Sequence, residues 1–211
     1  MANLSISNKQ QSIATIAALA AQGDLDNLEK SLHTGLDAKL TINEIKEILI
    51  QLYAYVGFPR SINAINTFIR VLASRQSSGI IDETGKEPSP RPEQKSKFEL
   101  GCEMQMVLLG ALETGPALSF IPTIDTFIKE HLFADIWSRD NLDFQSREIV
   151  TIAALASLKG LNMQLSRHLQ IALNIGFQPR QLTDLITLLA SLLEKNEADN
   201  ASEVLSRILN K

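Results

Sequence analysis

Three residues in the C-terminal half of this 211-residue chain have side chains suited to moving a proton beside a carboxylate: Arg147, Glu148 and His168. A guanidinium grips a carboxylate with two parallel hydrogen bonds. An imidazole gains or loses its proton close to neutral pH, and a neighbouring glutamate can orient the ring or tune it. Each residue also has a plainer reading. His168 shares a helix flank with Leu165 and Ala172, three behind and four ahead, and a histidine on such a flank is commonly a satisfied structural group. Arg147 and Glu148 fall in the first turns of an expected helix, where a glutamate favours the helix dipole with no catalytic role. His33 and His131 read as a helix-end cation and a surface residue.

Little else in the chain offers chemistry. The single cysteine, Cys102, rules out an intrachain disulfide and an intrachain Cys-x-x-Cys redox pair. No His/Asp/Glu cluster has metal-ligand spacing and no glycine loop could cradle a phosphate, so neither a metal nor a cofactor is expected. The formal charge of −4 and pI near 5.4 leave no basic footprint, so nucleic acid is not an expected partner. No apolar run approaches the roughly 18 residues of a membrane helix. Lys9, the apolar run from Ile13 and Ala18-Leu19-Ala20 imitate a secretory signal. A near-copy of that run deep in the chain argues for a structural helix instead, and for a cytoplasmic protein.

That near-copy organises everything around it. Ile13-Ala-Thr-Ile-Ala-Ala-Leu-Ala20 and Ile149-Val-Thr-Ile-Ala-Ala-Leu-Ala156 agree at seven of eight positions. After a one-residue gap, Leu28, Leu32, Ile45, Ile48 and Leu52 meet Leu165, Leu169, Leu182, Leu185 and Leu189 at a constant offset of 137. Two copies of one helical unit are implied. With 45% apolar and 5% aromatic residues, the composition predicts an all-α chain. The first copy reads as a helix through Ile13–Ala20, a second over 24–34 stopped by Gly35, and a third opened by the capping box Thr41-x-x-Glu44. That third helix breaks at Gly57-Phe58-Pro59, and a fourth follows. Residues 74–94, rich in proline, glycine and serine, read as an exposed, mobile linker. Helices over 95–113, 122–136, 144–158, 162–175, 179–193 and 199–209 complete the expectation. The boundaries are a first repeat at 1–73, the linker at 74–94, and a second repeat with extra N-terminal helices at 95–211.

Trp137-Ser-Arg-Asp-Asn-Leu142, Ser146-Arg-Glu-Ile-Val-Thr-Ile-Ala-Ala-Leu155 and Arg167-His-Leu-Gln-Ile-Ala-Leu-Asn-Ile-Gly176 together resemble the carboxymuconolactone decarboxylase family. Lys97-Phe-Glu-Leu-Gly101 with Val107-Leu-Leu-Gly110 is similar to that family's N-terminal helix, and 44–59 to its C-terminal element. The resemblance implies an alkylhydroperoxidase D-like helical fold and assembly into homotrimers or hexamers. It also implies a choice of chemistry. Peroxidase-type members carry Cys-x-x-Cys where this chain has Leu161 and Gln164, and neither can supply a thiolate. Decarboxylase-type members act on a carboxylated lactone. Such a reaction needs the substrate carboxylate bound, the residual dienolate stabilised, and a proton delivered.

The first copy has Ser31 where the second has His168, and Gln11-Ser12 in place of Arg147-Glu148. The second copy lacks the Tyr55-Val-Gly-Phe-Pro59 turn. One composite site is therefore expected, with Arg147 holding the carboxylate, His168 giving the proton, Glu148 orienting it, and Tyr55 and Phe58 walling it from the other copy. The favoured reading is a decarboxylase-like lyase acting without cofactor on a small carboxylated substrate. The alternatives are a non-catalytic binding or scaffolding relative and, less favoured, a redox protein using Cys102 between subunits.

Overall fold

Helix starts in this chain are written in serines and threonines. Ser7 caps α1 (Asn8–Gln22) and Ser96 caps α4 (Lys97–Leu109), each closing a reciprocal box with the residue three places on, Gln10 and Glu99. Thr41 and Glu44 do the same for α3 (Ile42–Ser77). A computed structural model describes residues 4–210. Its remaining elements are α2 (Leu25–Asp37), α5 (Pro116–Phe120), α6 (Pro122–Thr126), a π-helix (Phe127–Trp137), α7 (Phe144–Ala156), α8 (Asn162–Asn174), α9 (Pro179–Ala190) and α10 (Lys195–Leu209). Among the described residues there are helices and no strands, as the composition predicts.

The register of the two copies carries into the core. Leu28, Leu32, Ile45, Ile48 and Leu52 are buried, and so are their counterparts Leu165, Leu169, Leu182, Leu185 and Leu189. All belong to one continuous hydrophobic core that also contains the matching helices α1 and α7 packed on each other. The copies exchange contacts across it. α3 lies against α1 and α2 of its own copy and against α7 of the other, while α9 reaches α1. A smaller apolar cluster of Leu108, Phe133, Trp137 and Ile171 joins α4 and the π-helix to α8.

Three local expectations differ from what forms. α2 runs through Gly35 to Asp37, because Gly35 lies on the buried face close against Ile16 and Leu40. The break expected at Gly57 forms: Gly57 takes φ 77° and ψ 164°, Pro59 follows, and the segments before and after it are two helices joined end to end within α3. The stretch after Ser77 is strapped down rather than loose. Glu83 and Thr84 carbonyls accept from the Ile42 and Asn43 amides, the otherwise unpaired first-turn donors of α3. Asp82 takes the Arg75 guanidinium at 2.8 Å, and Ser89 donates to Asp140. Finally, the helix expected from Pro122 forms, but over Phe127–Trp137 as a π-helix, whose Ser138 amide closes an i→i+5 bond to Phe133. Widened helices of this kind cluster at functional sites.

The π-helix can approach α4 only because position 101 is glycine. A β-carbon on Gly101 would sit 2.0 Å from the Lys129 carbonyl oxygen, and backbone cannot swing aside as a side chain can. Gly101→Ala is expected to cost about 1–3 kcal/mol or more through overpacking, read as a lower urea midpoint at unchanged m-value. An unaltered midpoint would show that the two elements separate freely.

Candidate active site

Asp143 caps α7, its carboxylate accepting from the Ser146 amide at 2.7 Å. Arg147 and Glu148 follow in the opening turns. Successive helical residues point about 100° apart, so these neighbours face different partners although both are fully buried. Glu148 faces α8. Its Oε2 lies 2.9 Å from Nδ1 of His168, whose side chain is 16% exposed. With Nδ1–H donating to the carboxylate, Nε2 is left for a ligand or solvent. Burial is the largest influence on Glu148 and raises its pKa above the ordinary glutamate range, with His168 pulling the other way. The pair therefore holds a proton more readily than an exposed carboxylate would.

Arg147 faces α3 instead. Its Nη1 donates to Gln51 Oε1 at 3.1 Å, and its Nη2 to Glu47 Oε2 at 3.1 Å and to the Arg139 carbonyl at 2.7 Å. Glu47 also takes the Arg139 guanidinium through both oxygens, at 2.6 to 3.0 Å. Gln51 Nε2 closes the network on the Arg147 carbonyl and the Thr151 hydroxyl. Burial raises the Glu47 pKa, but hydrogen bonds from Arg139 and Arg147 outweigh it and leave the carboxyl below the usual range. Arg147 is pulled down chiefly by its own burial. The carboxylate that Arg147 grips thus belongs to the first copy, and its Nη donors turn away from His168.

Two aromatic rings enclose the imidazole. Tyr55, from α3, meets it edge-on at 6.1 Å between centroids, and Trp137, from the end of the π-helix, stacks on it at 6.4 Å and 24°. Tyr55 and His168 come from different copies, so the composite arrangement expected for that pair is what forms. Phe58 does not join it. Beyond the kink at Gly57 its ring stacks on Tyr53 at 4.6 Å and is 64% exposed.

Some polar atoms near these rings are short of well-formed hydrogen bonds. Tyr55 Oη, Trp137 Nε1 and Glu148 Oε1 are buried with no bond of good geometry, although buried polar groups are nearly always paired. Burial pushes the Tyr55 hydroxyl up to about 12, against the opposing pull of the neighbouring Thr151 hydroxyl and Trp137 indole and with some help from the Glu148 charge, so it stays neutral. The neutral Tyr55 hydroxyl, the Trp137 N–H beside it and the Glu148–His168 pair together suit a ligand that develops negative charge and takes up a proton. Gln164, one turn before His168 on α8, lines a separate cavity of about 570 Å³ that none of Tyr55, Trp137, Glu148 and His168 lines. Among the described residues no group of three His, Cys, Asp or Glu side chains converges as metal ligands, and no helix is long and apolar enough to cross a membrane.

The residues that sequence reasoning missed are Glu47, Gln51, Arg139 and Thr151. Glu47 and Gln51 did leave a trace: they stand one turn apart on α3, interleaved with the buried Ile48 and Leu52. Trp137 was visible but reads as packing until its contact with His168 is seen.

Comparison with known proteins shows the family. The sequence model described as the carboxymuconolactone decarboxylase family matches residues 1–68 and 122–207. The π-helix, Tyr55, Glu148 and His168 fall inside those segments. A 4-carboxymuconolactone decarboxylase from Acinetobacter baylyi is 29% identical over 116 residues, covering 52% of this chain and 86% of the relative.

Proposed function

Since the chain belongs to the carboxymuconolactone decarboxylase family, we propose that it catalyses decarboxylation, or the proton transfer coupled to it, on a small carboxylated lactone or conjugated acid without a cofactor. The observation that carries this reading is the Glu148–His168 pair at 2.9 Å, walled by the Tyr55 and Trp137 rings. In the step envisaged, the bond between ring carbon and carboxylate breaks and carbon dioxide leaves. Its electron pair passes into the conjugated lactone as a dienolate. Tyr55 and Trp137 donate to the developing oxyanion, and Nε2 of His168 delivers a proton to carbon while Glu148 steadies the ring through Nδ1. Water restores the proton. Arg147 acts here as a positioning residue that ties α7 to α3, rather than as the carboxylate clamp.

That last point favours a second reading, a non-catalytic small-molecule-binding or scaffolding relative, because the guanidinium expected to hold substrate is already occupied. Supplying the full chain with the lactone named by the Acinetobacter relative, in deuterated buffer, separates the two. Catalysis yields carbon dioxide and a product carrying one solvent deuteron, followed by NMR. Binding of intact lactone with no product would overturn the enzymatic reading.

A homo-oligomer, trimeric or hexameric, and a cytoplasmic location complete the proposal. Support for assembly comes from Phe58, Ile62, Ile65 and Ile69, spaced four, three and four apart on α3 and each 36–64% exposed, the seam pattern of helices that pack on a partner.

A further inference from the structure

The first copy has a cavity where the second has its imidazole. At the positions that hold Glu148 and His168 in the second copy, the first has Ser12 and Ser31. Leu192, from α9's copy, stands where Tyr55 does. Replacing carboxylate, imidazole and phenol by two hydroxymethyl groups and an isobutyl group removes volume that neighbouring helices do not recover. What remains is a groove between α1 and α2, about 450 Å³, lined by Gln11, Ser12, Thr15, Ser31, Thr34 and Leu188. It adjoins a second recess of about 390 Å³ that shares Thr15, Ser31 and Thr34, reaches Leu192, and includes Lys30, whose ammonium donates to Asn27 Oδ1 at 3.2 Å.

The hydrogen bonds around this groove give it a definite polarity. Thr15 donates to the Gln11 carbonyl, Ser31 to that of Leu28, and Thr34 to that of Lys30. The Gln11 amide donates to the Ile6 carbonyl. The protons of the three hydroxyls and one of the two Gln11 amide protons are therefore already directed at backbone, and the lone pairs are left for a ligand. Ser12, only 7% exposed as a residue, makes no hydrogen bond among the described residues. Of the carboxylates at the rim, Asp37 is paired with Arg75 at 2.9 Å and Asp24 caps α2.

We propose that this groove is a second ligand site, distinct from the His168 site, that takes a small uncharged polyhydroxylated molecule of the polyol or sugar type. An acceptor-rich lining rewards a ligand with several hydroxyl donors and disfavours a carboxylate, so the two copies have come to bind opposite chemistries. The inference rests on the first copy alone and does not depend on turnover at His168.

Saturation-transfer NMR on the full chain, with myo-inositol as probe and benzoate as competitor, tests it. Transfer to inositol is expected in the native protein and undiminished in His168→Ala. Ser12→Ala should weaken the inositol Kd about two- to tenfold, the worth of one hydrogen bond, and Ser31→Phe should abolish binding by filling the groove. Benzoate should not displace inositol. Absence of transfer in the native protein, displacement by benzoate, or full binding by folded Ser31→Phe would overturn the proposal. Should Ser31→Phe fail to fold, an unchanged Kd in Ser12→Ala overturns it equally.

Discussion

His168→Ala lowers turnover of a carboxylated lactone by about 10²–10⁴-fold, the usual worth of a positioned proton donor. The fall lies in kcat more than in KM, because the imidazole acts on the carbanion that forms and not on the resting lactone. Glu148→Gln keeps the shape of the acid but removes the charge that favours a protonated ring. Its loss is therefore smaller and comes with a changed pH profile. Turnover that needs the Glu148 carboxylate ionised falls as pH drops through its burial-raised pKa, and Glu148→Gln removes that limb. The burial-raised pKa of Glu148 has a stability consequence of the opposite sign. Its native proton is kept to higher pH than in the unfolded chain, so stability is fullest below the ordinary glutamate range and declines as pH climbs through the raised value. An alanine variant with wild-type kcat, or a glutamine variant with an unmoved profile, would remove this pair from the chemistry.

Glu47→Ala destabilises the fold by about 3–5 kcal/mol, the cost of leaving a buried guanidinium uncompensated. Arg147 has no solvent to turn to, its side chain being 0% exposed, whereas Arg139 at 33% can rehydrate. Replacing both buried partners, Glu47→Leu with Arg147→Met, is expected to cost markedly less than the single change, because no charge remains stranded. The pH dependence runs opposite to that of Glu148. The Glu47 carboxyl is held below its usual range by two guanidinium groups, so its stabilisation is complete above the ordinary glutamate pKa of about 4.3. It is lost as pH falls from there through the depressed native value. Denaturant midpoints measured across acid pH check both points, and a cost under about 1 kcal/mol for Glu47→Ala would show that the network does not hold the copies together. Because α3 carries both Glu47 and Tyr55, the variant should also loosen the Tyr55 wall over His168 and impair turnover.

The linker shows where reading composition stops being enough. Proline, glycine and serine in 74–94 correctly signal a stretch without helix after Ser77. They say nothing of whether its carbonyls meet solvent or, as at Glu83 and Thr84, the bare amides of another helix's first turn. Phe58 shows the same limit at one residue. Its sequence neighbourhood places it beside Tyr55, but the rotation at Gly57 sends the two rings to different faces. The π-helix is a third case, since an apolar run in 127–137 fits either helix type, and the choice follows from packing against α4 at Gly101.

From the order of residues alone come the all-helical class, the internal duplication, the capping boxes and the division that gave the imidazole and its acid to one copy only. These are local or periodic properties, and hydrogen-bond capping and the 3.6-residue repeat act within a few residues of chain. Only the folded molecule decides that Arg147 grips Glu47 rather than a substrate, that Trp137 covers His168, and that the counterpart of the site stands open. Those outcomes depend on which side chains meet across helices about a hundred residues apart, and distance in sequence carries no information about direction in space.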